Sequence, residues 1–144
     1  MASQQPKAFD LSSLAALQQA QEDGIPVKIA HPFDPDVDLG ITITIAGPDS
    51  ERRRAANRKS IDARLARKKM KIDAEGVERE MLRHLVACVI SWDGVMENGE
   101  TLACTPDNVT AIFRKYPWIH EQVEAEASDR TNFFRTSAPS SSIT

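Results

Sequence analysis

The chain has 144 residues, a formal net charge of −3 and 41% hydrophobic residues. That is enough for one domain with a modest core. The longest unbroken apolar run, Leu85 to Ile90, is far too short to cross a bilayer, which excludes a helical membrane protein.

Met1-Ala2-Ser3-Gln4-Gln5-Pro6 lacks the charged and apolar pattern of a signal peptide. Two cysteines without such a signal point to the cytoplasm and to free thiols. The charge is unevenly spread. Glu51 to Ile72 holds ten Lys or Arg against two acids, so this segment is +8 and the remainder −11. Segregation of this kind points to attraction between segments or to a charged partner.

In chain order, Asp10 to Glu22 has leucines at 11, 14 and 17 and predicts a helix capped by Asp10 and ended by Gly24. Ile25 to Ala30 predicts a short strand. His31 to Asp38, with two prolines and three aspartates, reads as a loop. Leu39 to Ile45 alternates isoleucine with threonine, the period of a half-buried strand. The two strands form a predicted hairpin. Asp49 or Ser50 then caps a basic helix whose apolar stripe is thin: Ala55, Ile61, Leu65 and Ile72.

A second helix is predicted over about Ala74 to Trp92. Val77, Met81, Leu82, Leu85, Val86, Cys88, Val89 and Trp92 cover most of its circumference, which makes it the expected central core helix. Asp73-Ala74-Glu75-Gly76 is a soft break, compatible with one long helix running through both segments. Trp92-Asp93-Gly94 is expected to close the apolar helix. Asn98-Gly99 suits a tight hairpin turn, because both positions tolerate positive φ. Thr105-Pro106 starts a helix with a hydroxyl cap and a proline in the first turn. That helix must end near Tyr116, because Pro117 disfavours helical geometry before it. It buries Val109, Ile112 and Phe113. The helix opened by Pro117 buries Ile119, Val123 and Ala127 at i, i+4 and i+8. Asn132-Phe133-Phe134 closes the predicted ordered region. From Thr136 onward six of nine residues are Ser or Thr, a composition that builds no core and reads as a disordered tail.

The expected fold is therefore mainly α, of α+β type: a helical domain with a small N-terminal β-hairpin and a short second hairpin. The boundaries are an N-terminal helix or arm over residues 1–24, the domain over 25–134, and a Ser/Thr-rich tail over 135–144.

Several motifs occur here in one order. Leu39 to Ile45 is followed by Gly47-Pro48-Asp49-Ser50 and a run of arginines. Further on come Trp92-Asp93-Gly94, Asn98-Gly99-Glu100, Thr105-Pro106-Asp107-Asn108-Val109, Tyr116-Pro117-Trp118-Ile119 and Asp129-Arg130-Thr131-Asn132-Phe133. This order, over about Val27 to Phe134, resembles the tail assembly chaperones of tailed bacteriophages. The resemblance implies a non-enzymatic protein that coats the tape-measure protein in the host cytoplasm before the tail tube polymerises. It implies departure before the virion is complete, the major tail tube protein as a further partner, and self-association as an option.

Site residues follow from weighing sharp readings against plain ones. Arg52, Arg53, Arg58, Arg64 and Lys68, with Ile61, Leu65 and Ile72, form the candidate partner surface on the basic helix. The plain reading is a solvated face. A nucleic-acid-binding regulator using residues 51–72 is an alternative, but no aromatic residue interleaves the basic ones and the chain is acidic overall. A minor structural protein retained in the virion tail or neck is the other alternative. Trp118, Phe133 and Phe134 are candidate partner anchors, against the plain reading as core. His84 and Cys88 share a helix face, with Cys104 and His120 elsewhere, but no C-x-x-C or H-x-x-x-H pair anchors a metal. No nucleophile, phosphate-loop or dinucleotide motif occurs, so neither catalysis nor a cofactor is expected.

Overall fold

The computed structural model describes residues 8–66 and 73–137. Among them the fold is mixed α+β, with six α-helices and two small antiparallel sheets. Asp10 does cap the start: its carboxylate accepts from Ser12 N at 2.9 Å. The first turn, Leu11–Leu14, is a 3-10 turn that leaves Leu11 and Leu14 exposed. Helix α1 follows over Ala15–Asp23.

Strands β1 (Ile25–Ala30) and β2 (Asp38–Ile45) pair as the expected hairpin, with Val27 opposite Ile43. Ile43 and Ile45 are buried while Thr42 and Thr44 face outward and are half-buried, as the alternation predicts. β1 is an edge strand, where Pro26 costs no ladder bond. Its free edge is covered at Ala30. The Gln122 side chain accepts from Ala30 N at 2.9 Å and donates to Ala30 O at 3.0 Å, in place of a further strand.

The clearest departure from expectation lies after residue 88. Helix α3 spans Ala74–Cys88, and Val89–Asp93 is strand β3, which pairs with the open side of β2. The sheet thus has the order β1-β2-β3. Trp92-Asp93-Gly94 closes a strand, not a helix. The apolar run Leu85–Ile90 fits either element, and the unpaired edge of β2 decides between them. Trp92 lies opposite Ile43, and its indole donates to Leu102 O at 2.8 Å. Gly94 has φ 77°, and a Cβ there would overlap the Gly40 carbonyl oxygen. β4 (Met96–Glu97) and β5 (Glu100–Thr101) form the short second hairpin, turning through Asn98 at φ 53° and Gly99 at φ 81°.

Helix α4 (Pro106–Lys115) is capped by Thr105 and buries Val109, Ile112 and Phe113. Helix α5 (Pro117–Ala127) buries Ile119, Val123 and Ala127. Both match the sequence reading residue for residue. Helix α6 (Arg130–Ser137) then packs on α1, so helical structure runs past residue 134. The expected tail beyond residue 137 lies outside the described residues. One buried cluster joins the inner sheet face to the helices, through Ile43, Ile45, Leu85, Phe113, Val123 and Phe133.

Leu85 and Phe133 are both fully buried. Leu85→Ala is expected to cost about 2–5 kcal/mol and Phe133→Ala about 3–5 kcal/mol. Chemical denaturation of the two variants measures both. An unchanged midpoint for either would place that side chain outside the core.

Candidate partner-binding site

The basic helix, α2 (Glu51–Ala66), is held at its start by polar contacts from α1. Gln21 is 2% exposed. Its amide accepts from Asp49 N at 2.7 Å and donates to the Asp49 carboxylate at 3.1 Å. Gln18 donates to Asp49 O at 3.0 Å, and Glu22 accepts from Glu51 N at 2.9 Å. Gly47 fits against Gln21 because a Cβ there would overlap that side chain. Of the two cap candidates, Ser50 does the capping: its hydroxyl accepts from Arg53 N at 3.3 Å. Asp49 instead pairs with Arg130 of α6, its two carboxylate oxygens accepting from the guanidinium. This arginine holds the Asp49 carboxyl below its ordinary pKa. The Gly47-to-Ser50 and Asp129-to-Phe133 motifs therefore meet in space, and what their residues do there is hold the fold.

Helix α2 turns small residues, Ala56 and Ser60, inward. It runs antiparallel to α3, which starts at its own cap: Asp73 accepts from Gly76 N at 2.8 Å. The two are separate helices, and the segment between them lies outside the described residues. Ser60 Oγ and His84 Nε2 are 2.8 Å apart, and Arg64 pairs with Glu80 across the same interface. That arginine holds the Glu80 carboxyl below its ordinary pKa.

Between the helices lies a groove of about 170 Å³, lined by Asn57, Ser60, Ile61, Arg64, Val77, Glu80, Met81 and His84. Its apolar walls are open to solvent. Ile61 is 46% exposed, Val77 40% and Met81 54%, so three apolar side chains share one unfilled strip, and Leu65, outside the groove lining, is 66% exposed.

Of the residues singled out in the sequence, Ile61 and Arg64 line this groove, and Leu65 is exposed on α2 outside its lining. Val77 and Met81 were expected in the core and are not. Of α3, only Leu85 and Cys88 are buried, and the half before them is a surface. A signal for this exists: Val77 and Met81 sit at i and i+4 among Glu75, Glu78, Arg79, Glu80 and Arg83, apart from the apolar run that follows. Arg52 is exposed, and Arg53 is half-buried beside Cys88. Arg58 and Arg54 both pair with Glu51, so part of the positive charge is answered within α2. Lys68 and Ile72 lie outside the described residues.

The anchor candidates divide. Phe133 is fully buried against the core and offers no surface, which corrects its reading as a partner anchor. Phe134 is half-buried. Trp118 is half-buried, edge-on to Tyr116 at 5.9 Å between ring centroids. Both rings line a second pocket, of about 180 Å³, with Ile41, Ile43, Val95, Met96, Ile112 and Ile119.

Cys88 is buried, and burial raises its thiol pKa; burial also raises that of Cys104. Among the described residues no three His, Cys, Asp or Glu converge as metal ligands, and no helix is long and apolar enough to cross a membrane. Comparison with protein-family models, curated proteins and solved structures finds no match to this chain.

His84 carries a pH dependence. Burial, reinforced by Arg53, pushes its pKa below the ordinary 6.5, so the folded state favours the neutral ring. The unfolded chain takes up this proton first as the pH drops. The stability tied to neutral His84 is full above about pH 6.5 and is lost as the pH falls from there towards the folded pKa. His84→Gln is expected to flatten the slope of thermal midpoint against pH between 7 and 5. An unchanged slope would mean that another group carries it.

Proposed function

We propose that the protein is a tail assembly chaperone of a tailed bacteriophage, which binds the tape-measure protein and keeps it soluble until the tail tube forms around it. The observation that carries this reading is the open strip of Ile61, Val77 and Met81 between α2 and α3, with Leu65 exposed on α2. An amphipathic helix recognises such a groove by laying its apolar face into it. A tape-measure protein is long and helical, and exposes faces of that kind before the tube covers them. The order of motifs from the Leu39 strand to Phe133 supports the same family.

Burying these side chains contributes at most about 1.5–3 kcal/mol each, before ordering costs are subtracted. The binding is therefore modest per site, which suits a protein that must leave. The charges of Arg58, Arg64 and Glu80 beside the strip act mainly on association rate and partner choice. On this reading the protein works in the host cytoplasm and is absent from the finished virion.

Co-expression with the tape-measure protein tests the proposal. The wild type is expected to co-purify with it and raise its soluble fraction. Ile61→Asp combined with Leu65→Asp should abolish capture while the far-UV spectrum and thermal midpoint stay near wild type, since both side chains are exposed. Capture by the folded double variant would place the contact elsewhere, with Trp118 the next position to change. Finding the protein at stoichiometric level in purified virions would favour a structural role in the tail over a chaperone.

A further inference from the structure

The pocket beside Trp118 differs in kind from the groove between α2 and α3. Aliphatic side chains line it, and so do two aromatic rings, Tyr116 and Trp118, which meet edge to face. Met96, also in the lining, is 61% exposed, so the pocket opens to solvent. Each ring carries a hydrogen-bond donor. Neither the Trp118 indole N–H nor the Tyr116 hydroxyl has a hydrogen-bond partner among the described residues. Trp92 shows the contrast, since its indole is satisfied by Leu102 O. An indole N–H can only donate, so a partner for Trp118 must bring an acceptor.

The same end of the sheet is acidic. The loop between β1 and β2 ends at Asp38, shortly before Ile41 of the pocket lining. The Gly40 carbonyl lies against Gly94, next to Val95 of the same lining. Loop and pocket therefore sit together. Asp34, Asp36 and Asp38 form no ion pair among the described residues. The loop is ordered: Asp34 Oδ1 accepts from Asp36 N at 3.2 Å, and Asp38 Oδ1 accepts from Gly40 N at 2.8 Å. Glu97 and Glu100 follow Met96 on the second hairpin. Against these carboxylates stand Arg114 and Lys115, the latter 3.9 Å from Glu97 and 5.6 Å from the Tyr116 ring centre. The excess is negative, and it favours a basic occupant.

An occupant must fill the pocket, accept from the ring donors and carry positive charge. A prolyl ring is smaller than the benzene that an apolar cavity of about 150 Å³ accepts, and this pocket holds about 180 Å³. A polyproline II segment has no internal hydrogen bonds, so its carbonyls are free to accept. Proline has no N–H, so it brings no donor that an apolar slot would leave unmet. Its stiffness also lowers the entropy lost on docking. A helix spends its carbonyls on its own ladder and would leave both ring donors unmet. We propose that this end of the domain docks a proline-rich segment of a partner protein, in polyproline II form, with an arginine beside the prolines. A prolyl ring packs on Tyr116 and Trp118, the Trp118 indole donates to a carbonyl of the segment, and the arginine faces Asp34 and Asp36. The site is separate from the α2–α3 groove and stands whether or not that groove binds the tape-measure protein.

Calorimetric titration of the full chain with two synthetic peptides is the experiment. Both repeat Pro-Pro-Leu, one with arginine at its start and one with arginine at its end, which covers both chain directions. At least one is expected to bind with a Kd below about 1 mM, and more weakly as salt is added. Replacing its prolines by glycine should weaken binding at least about tenfold. Trp118→Phe and Tyr116→Phe each keep an aromatic ring and lose the donor. Each should weaken binding about tenfold with the thermal midpoint near wild type. Asp34→Asn combined with Asp36→Asn should flatten the salt dependence. Ile61→Asp combined with Leu65→Asp, on the other surface, should bind the peptide like the wild type. Failure of both peptides to bind up to about 1 mM overturns the proposal. So does full affinity in both ring variants, equal binding of the glycine peptide, or loss of binding in the Ile61 and Leu65 double variant.

Discussion

Gln21 lies out of water, and a buried amide left without partners costs about 1–3 kcal/mol for the groups it leaves unsatisfied. The turn from Gly47 to Glu51 supplies those partners and is thereby pinned to α1. Pinning the turn fixes where Ser50 caps α2, and so the direction in which the basic helix leaves the sheet. The same Asp49 carboxylate reaches Arg130, which brings α6 beside α1. A single polar knot therefore joins the first helix, the root of the groove and the last helix.

Much of the fold was legible where local signals agree with one another. The threonine and isoleucine alternation of β2, the Thr105-Pro106 start and the Asn98-Gly99 turn each have a short-range physical cause, and each stands where the sequence places it. The end of α3 was not legible, because Val89 to Trp92 has no periodicity that separates a buried helix from a strand. What assigns it to the sheet is β2, more than forty residues upstream, whose second edge needed hydrogen bonds. The role of Gln21 was hidden for a similar reason. A glutamine on a short helix looks like a solvated residue until the turn that meets it is known.

The candidate site divides along the same line. Ile61 and Leu65 stood out because the stripe on α2 is too thin to bury a helix. Val77 and Met81 were lost by pooling them with the apolar run that follows, although charged neighbours separate the two sets. Phe133 stands between anchor and core in the sequence because it adjoins a polar tail, and its burial in the main apolar cluster decides for the core.

Helix α3 passes into β3 with no residue between Cys88 and Val89 to take up slack. The helix that forms one wall of the groove and the strand that holds Trp92 are in effect one rod with a change of winding. A push on Met81 has no loop in which to dissipate. Met81 on the groove wall and Trp92, whose indole donates to Leu102 O, are therefore joined through continuous regular backbone. The fluorescence of Trp92 should register occupancy of a groove that contains no tryptophan.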